Sequence, residues 1–218
     1  MFTHNDIYVY ILNWRKVTLN SLRLYATISP IIKNTCIINC DETFPLPPAI
    51  KHIQLDDSHY YGSQHNHAIK DVKEGAILCI IVGDNIVTNK FGKIFNNALE
   101  TFNTMNVGVY APNDLRSVHK KRLDNIKGSL YTVPNTDCGF WFIHPAIVAR
   151  LRDIDYTISR FGHGIDIITI KESNDMGMLV LRDYSVETDQ LDHTTNYNVA
   201  EANRGWELLV AEYNKRSK

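Results

Sequence analysis

The chain has 218 residues, 44% of them apolar and 22% charged, enough for one domain with a sizeable core and unlike a disordered or fibrous protein. Lys and Arg number 23 against 24 Asp and Glu, a net charge of -1, so no global positive field exists to gather a nucleic-acid backbone. No apolar run approaches the roughly 20 residues of a membrane span, the four cysteines form no C-x-x-C pair, and the N-terminus (MFTHNDIYVYILNW) has no basic leader, so a reduced, cytoplasmic setting is expected.

Ile7 to Leu12 is short, β-branched and aromatic, which reads as a buried strand opening at Asn13-Trp14-Arg15 into a polar loop. Leu19, Leu22, Leu24, Ile28, Ile31 and Ile32 then give a helical stripe, with Thr18 or Asn20 as its cap and Pro30 and Asn34 marking its end. Thr35 to Asn39 is a second strand running into Asp41-Glu42, and the proline-rich stretch Phe44 to Pro48 bridges to a third short run, Lys51 to Leu55. This β-α-β-β order predicts parallel strands inside an α/β sheet.

Asp56-Asp57-Ser58 is placed to cap a helix through His67, Ala68 and Val72, closed by Glu74-Gly75. Ala76 to Val82 (AILCIIV) is a continuous apolar run, the mark of a central strand covered on both faces, and it stops abruptly at Gly83-Asp84-Asn85. An acid at the end of such a strand lies on the rim where α/β sheets bind ligands. A helix over Phe91 to Met105 follows, then strand-like Val107 to Tyr110, a Lys- and Arg-rich stretch from Asp114 to Lys127, and Leu130 to Val133. The sheet resumes with Cys138 to Ile143, and Pro145 opens a helix through Leu151. The glycine-rich turn Phe161-Gly162-His163-Gly164-Ile165-Asp166 leads into an apolar run to Ile170, then Met178 to Leu181, and an amphipathic helix runs from Val199 to about Tyr213. No repeat or flexible linker divides the chain. The pattern predicts a single α/β domain, a central mixed, mostly parallel β-sheet flanked by helices.

Three stretches carry chemistry. They are Val82-Gly83-Asp84 at a strand end, Thr136-Asp137-Cys138-Gly139-Phe140-Trp141 followed two dozen residues later by Gly162-His163-Gly164-Ile165-Asp166, and the late Asp192-His193-Thr194. Taken in that order, they resemble the GT-A nucleotide-sugar glycosyltransferases. The usual Asp-x-Asp of that family is reduced here to Gly83-Asp84, its first acid missing. The resemblance implies a nucleotide-sugar-binding half over residues 1–110 and an acceptor-binding half over 111–218. It makes Asp84 and His193 the ligands of Mn²⁺ or Mg²⁺, and assigns donor contacts to Asn13, Trp14, Arg15, Asp41, Gly83 and Asp84. Asp166 and Asp137 become the pair that orients or deprotonates the acceptor hydroxyl. The donor would be a UDP-sugar and the acceptor a glycan or glycoprotein. Within the family the likeness extends to the small glycosyltransferase domain with which chlorella viruses build a capsid glycan.

Other readings of the same residues stand beside these. Gly83-Asp84-Asn85 is also ordinary turn chemistry, Asp41 is a possible helix cap, and Tyr60, Tyr61 and Gly62 either stack on a base or face solvent. His59, His65 and His67 with Asp56 and Asp57 are of metal-ligating type, although a helix turns residues two apart to different faces. Arg116, His119, Lys120, Lys121, Arg122 and Lys127 suit an anion or a solvated helix face. Hydrolase and P-loop motifs are absent from the sequence. The missing acid keeps a non-catalytic nucleotide- or carbohydrate-binding module as the alternative.

Overall fold

A computed structural model describes residues 1–87, 91–192 and 198–216. Among them ten strands form one sheet and six α-helices cover it. The strands are β1 (Ile7–Asn13), β2 (Asn34–Asn39), β3 (His52–Gln54), β4 (Ile77–Val82), β5 (Asn85–Val87), β6 (Val107–Asp114), β7 (Asn125–Lys127), β8 (Leu130–Thr132), β9 (Phe140–Ile143) and β10 (Leu179–Gln190). The helices are α1 (Thr18–Ile28), α2 (Tyr61–Asp71), α3 (Phe91–Thr104), α4 (Pro145–Leu151), α5 (Ile165–Asp175) and α6 (Val199–Arg216). The strand order is β3-β2-β1-β4-β9-β6-β10-β8-β7, with β5 pairing β10.

β3, β2, β1 and β4 are mutually parallel, as are β6 and β10, and β9 runs against both β4 and β6. With β8 antiparallel to β10, and β7 to β8, seven of the ten strands share a direction and only β5, β8 and β9 oppose it. The sheet is mixed and mostly parallel, as the apolar runs predict.

Residue alternation in the central strands explains the layers. Ile7, Val9 and Ile11 of β1 and Ile77, Cys79 and Ile81 of β4 pack with α1 and α3. Tyr10 and Leu12 with Leu78 and Ile80 pack with α2, α4, α5 and α6. Both faces are dry, so these strands read as unbroken apolar runs.

Several boundaries move. α1 buries Thr18, Ser21, Leu24 and Ile28 and leaves Leu19 66% exposed, so its inward stripe is partly hydroxylic. α2 starts at Tyr61, and Asp56 instead accepts from Ser58 N at 2.9 Å in a tight turn before it. β6 continues through Pro112 to Asp114, where β9 no longer pairs it and, among the described residues, β10 alone runs beside it. The run from Met178 becomes the 12-residue β10, and the apolar run after Asp166 becomes α5. The basic stretch is a loop ending in β7.

Candidate functional site

Every parallel strand delivers its C-terminal end to one rim of the sheet: Asn13 from β1, Asn39 from β2, Asp84 just past β4 and Asp114 from β6. Antiparallel β9 contributes its N-terminal end there, and Val82 N donates to Gly139 O at 2.7 Å. Asp137, Cys138 and Gly139 therefore stand beside Asp84.

On the side formed by the first half of the chain, short amides and hydroxyls interlock. Asn13 is fully buried, and its Nδ2 donates to Asn39 Oδ1 at 2.5 Å and to Thr18 Oγ1 at 3.1 Å. Asn39 Nδ2 reaches Gln54 Oε1 at 2.8 Å, and Gln64 Nε2 donates to Asn13 O at 2.7 Å and Ile38 O at 3.1 Å. Thr18 Oγ1 donates to Asp41 Oδ2 at 2.7 Å. Burial alone would push the Asp41 carboxyl up, but hydrogen bonds from Thr43 and Thr18 and the Arg15 guanidinium 3.9 Å away outweigh it and hold it below the usual range. Arg15 is mostly exposed and also pairs with Asp57. Trp14 is half-buried, and its carbonyl accepts from Val17 N at 2.9 Å.

Gly83 is dictated by a close approach to α1. A Cβ there would lie 2.3 Å from Ser21 Oγ and 2.8 Å from Leu12 O. Gly83 N donates to Leu12 O at 2.8 Å, and Asn20 Nδ2 caps the carbonyls of Gly83 and Asn85 at 2.7 and 2.9 Å. Asp84 is thereby fixed at the rim, 6% exposed, with its carbonyl accepting from Leu191 N at 2.8 Å.

The second half of the chain supplies charge. Arg182 is completely buried in β10, donating to His119 O at 2.5 Å, to Ser117 Oγ and Thr136 Oγ1 at 3.1 Å, and to Asp137 Oδ2 at 3.3 Å. One guanidinium thus fastens two loops and a carboxylate. His119 Nε2 lies 4.0 Å from the other Asp137 oxygen. Asp166 begins the first turn of α5, after Gly162 and Gly164 at φ +78° and +91°. Its carboxyl is raised above the usual range, chiefly by burial and also by the Asp137 charge, against the pull of the Ile167 N–H and His119. Asp114 is raised for the same reasons, burial first, while it accepts from Arg116 N and Gln190 Nε2 at 2.8 Å.

The structure thus brings Asn13, Trp14, Arg15, Asp41, Gly83, Asp84, Asp137 and Asp166 to one rim. His193 lies outside the described residues. Asn13 sits behind the surface and acts by holding Asn39 and Thr18. In the sequence Asp114 has no site role, and Arg182 is marked only as part of the stretch Leu181 to Val186 that precedes Asp192-His193 in the C-terminal resemblance. Tracing β6 past Pro112 would have exposed Asp114 as a second strand-end acid, and a cation flanked by Leu181 in a strand signals a buried pair.

Among the described residues the α2 histidines and the cysteines form no rival centre. His65 is fully buried among Tyr61, Trp141 and Tyr156, with its pKa pushed down to about 3 by burial, whereas His59 pairs with Asp56 at 3.1 Å. Among the described residues no group of three or more His, Cys, Asp or Glu is placed to hold a metal by itself. Burial pushes the thiols of Cys36, Cys40 and Cys138 up to about 11, 12 and 12, which disfavours their thiolate forms. The loop cations are used locally: Arg116 pairs with Asp189 and Asp192 at 2.6 Å, and the Arg122 guanidinium lies 3.7 Å from the Tyr184 ring centre. Among the described residues no helix is long and apolar enough to cross a membrane.

No protein-family profile and no curated protein matches the sequence. Solved structures do match the fold. The transferase GalNAc-T7, solved with UDP, GalNAc and Mn²⁺, aligns over 88% of this chain and 45% of its own, with TM-score 0.62 and 11% identity. This chain therefore spans less than half of that protein. A UDP-glucose pyrophosphorylase complexed with UDP-glucose aligns over 96% and 99%, with TM-score 0.53 and 8% identity. The inositol-1-phosphate CTP transferase of T. maritima aligns over 93% and 96%, with TM-score 0.53 and 11% identity. The chain has the GT-A-like fold shared by nucleotide-sugar transferases and nucleotidyltransferases.

Proposed function

We propose that the protein is a glycosyltransferase that moves a sugar from a nucleotide-sugar donor, a UDP-sugar, to a hydroxyl of a glycan or glycoprotein. A capsid glycan is the acceptor that the sequence resemblance implies. The observation that carries the reading is the convergence of Asp41, Asp84, Asp137 and Asp166 on one rim of a GT-A-like sheet, with the Asp41 carboxyl held below and the Asp166 carboxyl above the ordinary range.

The residues divide the work. Asn13 holds Asn39 and Thr18 from behind, these with Asp41 form the buried polar floor beneath the base and ribose, and Trp14 and Arg15 at its edge make the contacts to them. Asp84 offers a hard oxygen ligand at the strand end, and one such carboxylate with the donor's own phosphate oxygens suits Mn²⁺ or Mg²⁺. Such an ion, when bound, neutralises charge on the departing diphosphate. His193 is its proposed second ligand. Asp166, poised by burial beside Asp137, accepts the proton of the attacking hydroxyl.

Near-complete coverage of the pyrophosphorylase favours a second reading, nucleotidyl transfer from a nucleoside triphosphate to a sugar phosphate. Against it, the loop Asn13 to Val17 contains no glycine to bring successive backbone N–H groups against a triphosphate.

Both readings are tested by incubating the protein with UDP-sugars, and separately with UTP and glucose 1-phosphate, while following UDP and pyrophosphate release. UDP release that falls about 10²- to 10⁴-fold in Asp166→Asn supports the transferase. Pyrophosphate release supports the second reading, and neither product leaves a non-catalytic binding module.

A further inference from the structure

Segment 159–164, which leads into Asp166, is gripped from two sides at glycines. A Cβ on Gly62 of α2 would lie 2.0 Å from Ser159 O, and one on Gly205 of α6 would lie 3.2 Å from Ser159 Cα. A Cβ on Gly164 would lie 2.6 Å from Trp206 Cδ1, and Gly62 N donates to Arg160 O at 3.0 Å. Backbone contacts this close hold the start of α2, the glycine turn and α6 as one body.

The outer surface of that body is aromatic. Tyr60 is 39% exposed and Trp206 41% exposed, and Phe161 meets Tyr60 edge-on with ring centres 5.2 Å apart. The Arg160 guanidinium lies 4.4 Å from the Tyr60 ring centre and 3.4 Å from the Glu201 carboxylate. Trp206 packs two residues before Asp166, whose neighbour Ile167 is 40% exposed.

Large rings held rigidly in water cost free energy unless something covers them. A pyranose has the matching chemistry: a face of C–H bonds for the half-exposed Trp206 ring and for the side of Tyr60 away from Arg160, and a hydroxyl edge for the guanidinium and carboxylate beside them. The patch is small and interleaved with charge, unlike the broad apolar core of a protein interface. Trp206 adjoins Gly164, two residues before Asp166.

We propose that Tyr60, Phe161 and Trp206 form a stacking platform that binds the sugar rings of the acceptor beside Asp166. Calling that sugar the acceptor rests on the glycosyltransferase reading. Sugar binding itself is measurable without any nucleotide.

The test is titration of lactose, cellobiose, chitobiose and mannobiose, observed by saturation-transfer NMR, with UDP titrated separately by calorimetry. At least one disaccharide is expected to bind saturably, about tenfold more weakly in Trp206→Ala and in Tyr60→Ala, and near normally in Trp206→Phe. UDP binding should be unchanged in all three variants. Disaccharide binding that follows the variants in a protein that fails to bind UDP would keep the platform and discard the donor site. The proposal is overturned if no disaccharide binds, if binding survives both alanine variants, or if Trp206→Ala weakens UDP instead, which would assign the rings to the base. Trp206→Phe and Tyr60→Ala keep the test decisive should Trp206→Ala fail to fold.

Discussion

The two sides of the rim are built from different materials. On the side of β1 and β2 the buried polar groups are mostly neutral amides and hydroxyls that hydrogen-bond to one another, and the buried acid among them, Asp41, is held below its ordinary range. On the side of β6, β9 and α5 the groups are charged, Asp114 and Asp166 are held above their ordinary range, and a single buried guanidinium ties the loops down. The first arrangement keeps a shape and an ionised carboxylate at neutral pH. The second holds carboxyls whose charged form burial disfavours, an environment suited to a proton acceptor.

The sharpest way to break that contrast is to remove the guanidinium. Arg182→Met leaves Asp137 without its buried partner and releases the loops at Ser117, His119 and Thr136. We expect about 2–4 kcal/mol of destabilisation, read as a lower urea midpoint, whereas the network around Asn13 and Asn39 stays intact. Equal stability of variant and parent would mean that the charged side does not depend on Arg182.

A gentler probe is pH. The folded protein holds His65 near 3 against 6.5 for a free imidazole, so its contribution is complete above about pH 6.5 and is lost as pH falls toward 3. The expected slope is about 1.4 kcal/mol per pH unit in that window. Asp114 and Asp166 act oppositely: because their folded carboxyls are raised, protonation on acidification relieves the folded state. Thermal melts at stepped pH should show an acid-side loss of stability that is smaller in a His65→Phe variant, in which only the carboxyls held low, such as Asp41, remain to cause it. A His65→Phe melt with the same pH dependence as the parent would remove His65 from the account.

Much of the first side is legible in the sequence, for a physical reason. β1, β2 and β4 are covered on both faces, so their apolar runs are unbroken and end where the chain meets water, which points to Asn13, Asp41 and Asp84. Pro145 likewise marks the start of α4. The second side is harder to read. The second part of β10 ends in Glu187-Thr188-Asp189-Gln190 and β5 is three residues long, so the pairing of these two segments leaves no sustained apolar run in the sequence. Asp114 lies beyond a proline that ordinarily ends a central strand, and the role of Arg182 depends on loops distant in sequence. Asp166 is visible through its glycine turn, but its raised carboxyl is a consequence of burial that spacing does not reveal.

The central claim, that this rim binds a nucleotide sugar through Asp84, is tested most directly by calorimetric titration with UDP in Mn²⁺ and again in EDTA, with GDP as control. The account predicts UDP binding that weakens in EDTA and weakens at least about tenfold in Asp84→Ala. Failure of UDP to bind in Mn²⁺, or binding that Asp84→Ala and EDTA leave untouched, would contradict it.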